Sequence, residues 1–204
     1  SKLGYLKKAD AWLTISESST REACEHLQIN RDAVTDISAA CDPVFRPLEM
    51  TSQESTLLKR QFGIDRSFVL YSGGADVRKN LPRLIRVFAR LEASLRGQYQ
   101  LVLAGKIGEA YVQNLSALAK SCGMADGDLI FTGSISDMQL CQLYNLGHAY
   151  VFPSLHEGFG LPVLEAMSCR MPVIAANTSS LPEVVGIHDA LFDPVDDVDM
   201  LDKL

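Results

Sequence analysis

The sequence has 204 residues, of which 47% are hydrophobic and 22% charged, and its formal net charge at pH 7 is -6. This composition is that of an ordinary globular protein, long enough to bury a sizeable core in one or two domains. The negative net charge argues against a nucleic-acid-binding protein that works through a broad basic surface.

The cysteine usage and the hydropathy pattern narrow the class of protein further. The five cysteines are odd in number and widely spaced, so they support neither a disulfide framework nor a zinc site: Cys24, Cys41, Cys122, Cys141 and Cys169. No apolar run approaches the roughly 20 residues that span a membrane, and the N-terminus has no signal-peptide core. The sequence therefore predicts a cytoplasmic protein without a structural metal.

The first quarter of the chain has short elements and then an irregular stretch. Residues 1–9 are expected to end a helix, 11–15 to form a strand, 21–27 a helix after several capping candidates, and 34–37 a second strand. Residues 42–55 contain two prolines and no hydrophobic periodicity, which is typical of a linker.

From residue 67 onward, apolar strands alternate with amphipathic helices. This alternation predicts a parallel sheet buried on both faces, and hence a Rossmann-like doubly wound α/β domain. The predicted strands are 67–71, 99–104, 128–132, 148–152, 172–176 and 190–192; the predicted helices are 81–96, 109–122, 136–146, one starting close to 161, and a short one opening at 180. Ligands of such sheets bind beyond the carboxyl ends of the strands, where the loops 72–80, 105–108 and 153–161 lie.

The loop before the predicted helix at 161 has the composition of a ligand site. Gly158 and Gly160 allow a ligand to approach the backbone closely, and the first amides of the helix can bind a phosphate. Glu157 and Glu165 flank these amides and can accept hydrogen bonds from hydroxyl groups. Phosphate-binding amides beside two carboxylates suit a nucleotide sugar. Alternatively, the glycines are ordinary loop residues and the glutamates lie on the surface.

A second candidate loop follows the first strand of the domain. Gly73 and Gly74 permit close backbone approach, and Arg78 and Lys79 can supply positive charge to a phosphate. The loop is neither a dinucleotide-binding fingerprint nor a Walker loop, because the required glycine spacing is absent. The alternative is an ordinary turn with two solvated basic residues.

Residues 157–165, Glu-Gly-Phe-Gly-Leu-Pro-Val-Leu-Glu, resemble the Glu–seven residues–Glu signature of the family 4 retaining glycosyltransferases, which have the GT-B fold. Residues 166–175 are similar to the segment that follows this signature in the family. By the same resemblance, residues 1–46 correspond to the end of the N-terminal acceptor domain and the crossover. Residues 47–204 then correspond to the C-terminal donor-binding domain, truncated before its terminal helices.

The resemblance implies a role for each matched residue. Glu157 would act on the donor sugar through its hydroxyls and is the implied catalytic residue, and Glu165 would bind the ribose. The loop of Gly158, Phe159, Gly160 and Leu161 would hold the distal phosphate through backbone amides. Gly73 and Lys79 match residues of the diphosphate site, whereas Gly74 stands where many members have an arginine, a role that Arg78 could take over. Gly133 and Ser134 correspond to a base-contacting loop of the family, although an ordinary turn is the stronger interpretation for these two residues. For Lys106, which could approach the nucleotide, a solvated side chain is the stronger interpretation.

The implied activity is the transfer of a hexose, with retention of configuration, from a nucleoside diphosphate sugar to a saccharide or lipid-linked saccharide acceptor. The glycine-rich loop at 73–80 favours a bacterial polysaccharide enzyme and GDP-mannose as donor, with no metal required. The missing N-terminal domain would bind most of the acceptor, and the full-length enzyme could associate peripherally with the inner face of the membrane. Two alternatives remain open: another GT-B-type nucleotide-sugar enzyme such as an epimerase, or a non-catalytic nucleotide-binding module.

Overall fold

The computed structural model describes residue 4 and residues 8–204. The helix end expected at residues 1–9 lies largely outside these described residues. None of the helices in the described part of the chain is long and apolar enough to cross a membrane.

A six-stranded parallel sheet forms the centre of the molecule, with strand order β5-β4-β3-β6-β7-β8. Its strands are β3 (Ser67–Ser72), β4 (Tyr99–Ala104), β5 (Leu129–Gly133), β6 (Ala149–Phe152), β7 (Val173–Ala176) and β8 (Leu191–Phe192). This is the strand order of the doubly wound Rossmann fold, so the predicted fold class is confirmed. The strand order reverses between β3 and β6, which places a ligand crevice beyond the carboxyl ends of these two strands.

Helices cover the sheet and close its core. They are α2 (Ser52–Phe62), α3 (Leu81–Ala89), α4 (Ala93–Arg96), α5 (Glu109–Ser121), α6 (Asp137–Leu146), α7 (Leu161–Ser168), α8 (Leu181–Val185) and α9 (Asp197–Lys203). Helix α3 shows why these segments are helical: Leu81, Leu84, Ile85 and Phe88 recur on one face and are fully buried. The central strands β3 and β4 are buried along almost their whole length, as expected for a parallel sheet covered on both faces.

The N-terminal segment forms a small unit of its own. Strands β1 (Trp12–Thr14) and β2 (Val34–Asp36) pair in parallel, and helix α1 (Glu17–Leu27) connects them. The following stretch already packs against the large sheet unit, where the Phe45 ring meets Tyr144 edge-on at a centroid distance of 5.9 Å. The predicted division of the chain at residue 46 stays a prediction.

Most element boundaries agree with the sequence prediction to within one residue, and the larger differences concern the first three long helices of the described chain. The linker expected at 42–55 is wrong at its end, because Thr51 and Glu54 form a capping box that starts α2 at Ser52. The single helix expected over 81–96 is wrong as well: α3 ends at Ala89, whose carbonyl accepts a 2.6 Å hydrogen bond from the Arg96 side chain, and α4 follows separately. Helix α1 begins at Glu17 rather than at 21.

Candidate functional site

The crevice between β3 and β6 brings two of the predicted loops together. Backbone hydrogen bonds join the loop after β3 to the loop after β6: Leu155 N donates to the Arg78 carbonyl at 2.7 Å, and Ser154 Oγ lies 3.2 Å from the same oxygen. The Asn80 amide adds a 3.2 Å hydrogen bond to the Pro153 carbonyl. The candidate residues at 73–80 and 153–161, distant in sequence, therefore belong to one site.

Glu157 lies at the centre of this site in a dense set of donors. Its side chain is buried, and its Oε1 atom accepts hydrogen bonds from Lys79 Nζ and, at 2.6 Å, from Ser154 Oγ. Its Oε2 atom accepts from Arg78 Nη1 at 3.3 Å. A carboxylate buried to this extent is stable only when such partners compensate for its lost hydration. The ion pair between the predicted sugar-binding glutamate and the predicted phosphate-binding lysine was not foreseen from the sequence.

The two basic residues owe their placement to a short 3-10 helix, Val77–Lys79. Asp76 caps it by accepting from Arg78 N at 3.1 Å, and Asn80 leaves it in the left-handed conformation with φ of 58°. Lys79 is thereby buried, with its ammonium 5.0 Å from the Phe152 ring centroid. Arg78 thus lies beside Glu157; whether it replaces the arginine missing at Gly74 stays a prediction.

The start of helix α7 presents unpaired backbone donors. Among the described residues, no protein acceptor receives the N–H groups of Gly158, Phe159, Gly160 or Leu161. Gly160 has φ of +105°, and a Cβ built there would lie 2.7 Å from Leu181 Cδ2, so this turn requires glycine. Unpaired amides at a helix N-terminus attract an anion, and the binding of a phosphate by this loop stays a prediction.

Glu165, one turn into α7, has very different surroundings. It is partly buried, and its Oε2 atom accepts one hydrogen bond, at 3.1 Å, from the Tyr144 hydroxyl. That hydroxyl also lies 2.7 Å from Ser72 Oγ, which in turn is 3.0 Å from the Tyr150 hydroxyl. Burial raises the pKa of Glu165, the Tyr144 hydrogen bond opposes this rise, and the charge of Asp137 adds to it.

A cavity of about 350 Å³ adjoins Glu165 and the first turn of α7. Gly73, Gly74 and Lys106 line it, together with Ile135 from the loop after β5. Gly105 lines it too, and this position requires glycine, because a Cβ there would lie 2.7 Å from the Gly73 carbonyl oxygen. The cavity has the size and the mixed lining of a small-molecule site.

The structure does not bring every predicted residue to this cavity. Its lining contains Gly73, Gly74 and Glu165 of the predicted residues, but not Gly133 or Ser134. Arg78, Lys79, Glu157 and the loop 158–161 do not line it either, and Ile135 is the residue that the loop after β5 contributes. Lys106, for which a solvated side chain was favoured, does line it. Sequence reasoning missed Ser154 and Tyr144, because neither a serine in a loop nor a tyrosine in a helix indicates a binding site by itself.

No cluster of three or more His, Cys, Asp or Glu side chains in residue 4 or 8–204 is arranged to hold a metal ion. The site as described consists of amides, basic groups and two carboxylates around one crevice.

Comparison with protein families decides the class of this site. The model of the family described as "Glycosyl transferases group 1" matches residues 54–204, about three quarters of the chain. The chain belongs to the group 1 glycosyltransferases. The match includes every residue of the candidate site, so the resemblance inferred from the 157–165 signature is confirmed.

Two curated relatives of this chain come from Escherichia coli. "Serotype-specific mannosyltransferase WbdA" is 40% identical over 195 residues, which are 96% of this chain and 24% of that protein. "O-antigen chain mannosyltransferase B" is 33% identical over 196 residues, which are 96% of this chain and 50% of that protein. The chain thus spans between a quarter and a half of the length of these relatives.

Two solved structures share the fold of this chain. WaaG, described as "a glycosyltransferase involved in lipopolysaccharide biosynthesis", superposes with a TM-score of 0.78 at 18% identity, over 93% of this chain and 51% of WaaG. HepE of Anabaena, solved in complex with UDP-glucose, gives a TM-score of 0.80 at 21% identity, over 95% of this chain and 52% of HepE. The fold of this group 1 chain is that of the Rossmann-like domain of GT-B glycosyltransferases.

Proposed function

We propose that this chain is the donor-binding part of a retaining glycosyltransferase that transfers mannose or a related hexose from a nucleoside diphosphate sugar, with GDP-mannose favoured. The acceptor is a saccharide or lipid-linked saccharide in polysaccharide synthesis, bound mainly by residues outside this chain. The names of the two Escherichia coli mannosyltransferases support the choice of sugar. No metal is required in this proposal.

The observation that carries the proposal is the set of unpaired amides at the start of α7, placed between two carboxylates of the same signature. A diphosphate can accept hydrogen bonds from the N–H groups of Phe159, Gly160 and Leu161, which have no acceptor within the described chain. Lys79, whose ammonium pairs with Glu157 of the same loop, is the proposed cation for the same anion. These donors would stabilise the negative charge that develops on the leaving nucleotide.

The unused acceptor sites of the two glutamates support the assignment of sugar and ribose. A carboxylate has about four lone-pair sites. Lys79 and Ser154 use Oε1 of Glu157 and Arg78 uses one site of Oε2, so Glu157 has room to accept from one sugar hydroxyl. Glu165 uses one site for Tyr144, which leaves enough sites for both ribose hydroxyls beside the cavity.

Calorimetric titration of the chain with GDP, UDP and the corresponding monophosphates tests the proposal. We expect saturable binding of at least one diphosphate, tighter than that of its monophosphate, because the α7 amides meet the distal phosphate. The same titration with Lys79→Met should lose most of that difference, whereas Lys120→Met, at an exposed lysine paired with Asp126, is the matched control. A folded chain that binds no nucleoside diphosphate would contradict the proposal and favour a non-catalytic module.

A further inference from the structure

Serine hydroxyls hold three successive carbonyl groups of the phosphate-binding loop. Ser180 Oγ lies 3.0 Å from the Glu157 carbonyl oxygen and 2.8 Å from that of Phe159, so its one proton is shared between the two oxygens in a three-centre hydrogen bond. The Gly158 carbonyl oxygen accepts two hydrogen bonds, at 2.7 Å from Ser16 Oγ and at 3.0 Å from Ser19 Oγ. Two of these serines lie about 140 positions away from the loop in the sequence.

These bonds fix the direction of the amides that the ligand needs. In a trans peptide the C=O of one residue and the N–H of the next point in opposite directions, and the described chain has no cis peptide bond. The bound carbonyls of Glu157, Gly158 and Phe159 therefore orient the N–H groups of Gly158, Phe159 and Gly160 away from the serines. All three are among the four N–H groups left without an acceptor in the described residues, the fourth being that of Leu161.

The N-terminal segment reaches the loop because it is docked onto helix α8. The Glu183 carboxylate accepts from the first two backbone amides of α1, Glu17 N at 2.9 Å and Ser18 N at 3.0 Å. The first N–H groups of a helix have no acceptor within the helix, and Glu183 supplies one for two of them in α1, which belongs to the N-terminal unit. Its negative charge at this helix N-terminus also complements the helix dipole. Ser16 itself caps α1 by accepting from Ser19 N at 2.9 Å.

We propose that Ser16, Ser19 and Ser180 are positioning residues for donor-phosphate binding, and that Glu183 docks α1 so that the two N-terminal serines can act. The N-terminal unit then takes part in binding the donor without touching it: it holds one peptide of the loop in the orientation that presents the Phe159 amide. This inference rests on the proposed function, since it assumes that the loop binds a phosphate.

The test compares GDP with GMP, because the amides are assigned to the distal phosphate, which GMP lacks. We expect Ser16→Ala/Ser19→Ala to weaken GDP binding about tenfold, the effect of removing the support of one or two neutral hydrogen bonds. GMP binding should not change. Thr at both positions restores the hydroxyls and should restore GDP binding, and Ser121→Ala is the control, because Ser121 only donates to its own helix at the Leu118 carbonyl.

Glu183→Ala provides the second variant. It should weaken GDP binding alone but add nothing to the double serine variant, because both changes release the same peptide. Unchanged GDP binding in the serine variant, or equal losses for GDP and GMP, would overturn the positioning role while the proposed function stands. Failure of the parent chain to bind any nucleoside diphosphate would overturn both.

Discussion

The two glutamates of the 157–165 signature lie on one short stretch of chain but in opposite electrostatic surroundings. Glu157 is buried between Lys79, Arg78 and Ser154, so its charge is compensated before any ligand arrives. Within the described residues Glu165 has the Tyr144 hydroxyl as its one hydrogen-bond donor, and burial raises its pKa. The first carboxylate is part of a prebuilt ion cluster with one acceptor site left for a ligand, whereas the second has several sites left.

The difference indicates that Glu157 matters first for the stability of the fold and Glu165 for ligand binding. Removing a partner of Glu157 leaves a buried charge uncompensated and should cost stability first. Burial disfavours the ionised form of Glu165 in the folded chain. Replacing this carboxylate should therefore weaken ligand binding without lowering the stability of the fold.

The largest effect is expected from Lys79→Met. It leaves the buried Glu157 carboxylate with only the partly exposed Arg78 as a cation, and breaking a buried pair in this way costs about 3 kcal/mol of unfolding free energy. Chemical denaturation measures it. Lys120→Met removes the exposed pair with Asp126 and should cost less than about 1 kcal/mol. Equal losses in the two variants would mean that the Lys79–Glu157 pair is not a buried cluster.

Glu165→Gln is expected to weaken nucleoside diphosphate binding by about 1–3 kcal/mol, because a charged acceptor for the ribose hydroxyls is lost. The loss should shrink for the 2′,3′-dideoxynucleotide, which has no such hydroxyls. Denaturation of the free chain should show no loss of stability. An equal loss of affinity for both nucleotides would show that Glu165 has only a structural role.

Tyr144→Phe should weaken the same binding by about 1 kcal/mol, the value of one hydrogen bond, because it removes the donor that orients the Glu165 side chain. It should have no such effect in the Glu165→Gln background. Tyr111→Phe, at a partly exposed tyrosine on α5, is the matched control. Additive losses in the double variant would contradict the coupling between Tyr144 and Glu165.

The smallest effect is expected from a change of pH, because nucleotide affinity should change little near neutral pH. Ribose hydroxyls favour the ionised carboxylate, so nucleotide affinity should fall as pH is lowered through the raised pKa of Glu165. The free chain should respond in the opposite sense: the folded state binds this proton more tightly than the unfolded state, so this group's contribution to stability improves as pH falls. Titrations from pH 8 to about pH 4.5 measure the first effect, and the Glu165→Gln variant should lack this component.

The sheet could be predicted from the sequence because its strands are continuous apolar runs separated by helices at regular spacing. The start of α2 could have been found from the Thr51–Glu54 capping box, but two nearby prolines outweighed that signal. The end of α3 could not, since the apolar spacing continues to Leu91 and Leu95, and no local pattern indicates that the Arg96 side chain is the partner of the Ala89 carbonyl.

The candidate site was predictable only as far as its motif. The glycines, Lys79 and the two glutamates are visible in two loops, and the rule that ligands bind at the carboxyl ends of parallel strands places those loops together. The ion pair of Lys79 with Glu157 and the bond from Tyr144 to Glu165 depend on side-chain packing between distant segments, which no local pattern encodes.

The most direct test of the account titrates GDP and GDP-mannose into the parent chain, Glu157→Gln and Glu165→Gln, with UDP-glucose as the alternative donor. If the two carboxylates bind different parts of the donor, Glu165→Gln should weaken both guanine ligands equally. Glu157→Gln should abolish the difference between GDP-mannose and GDP and leave GDP binding near the parent value. Loss of GDP binding in Glu157→Gln, equal to its loss of GDP-mannose binding, would contradict the separation of sugar and ribose sites.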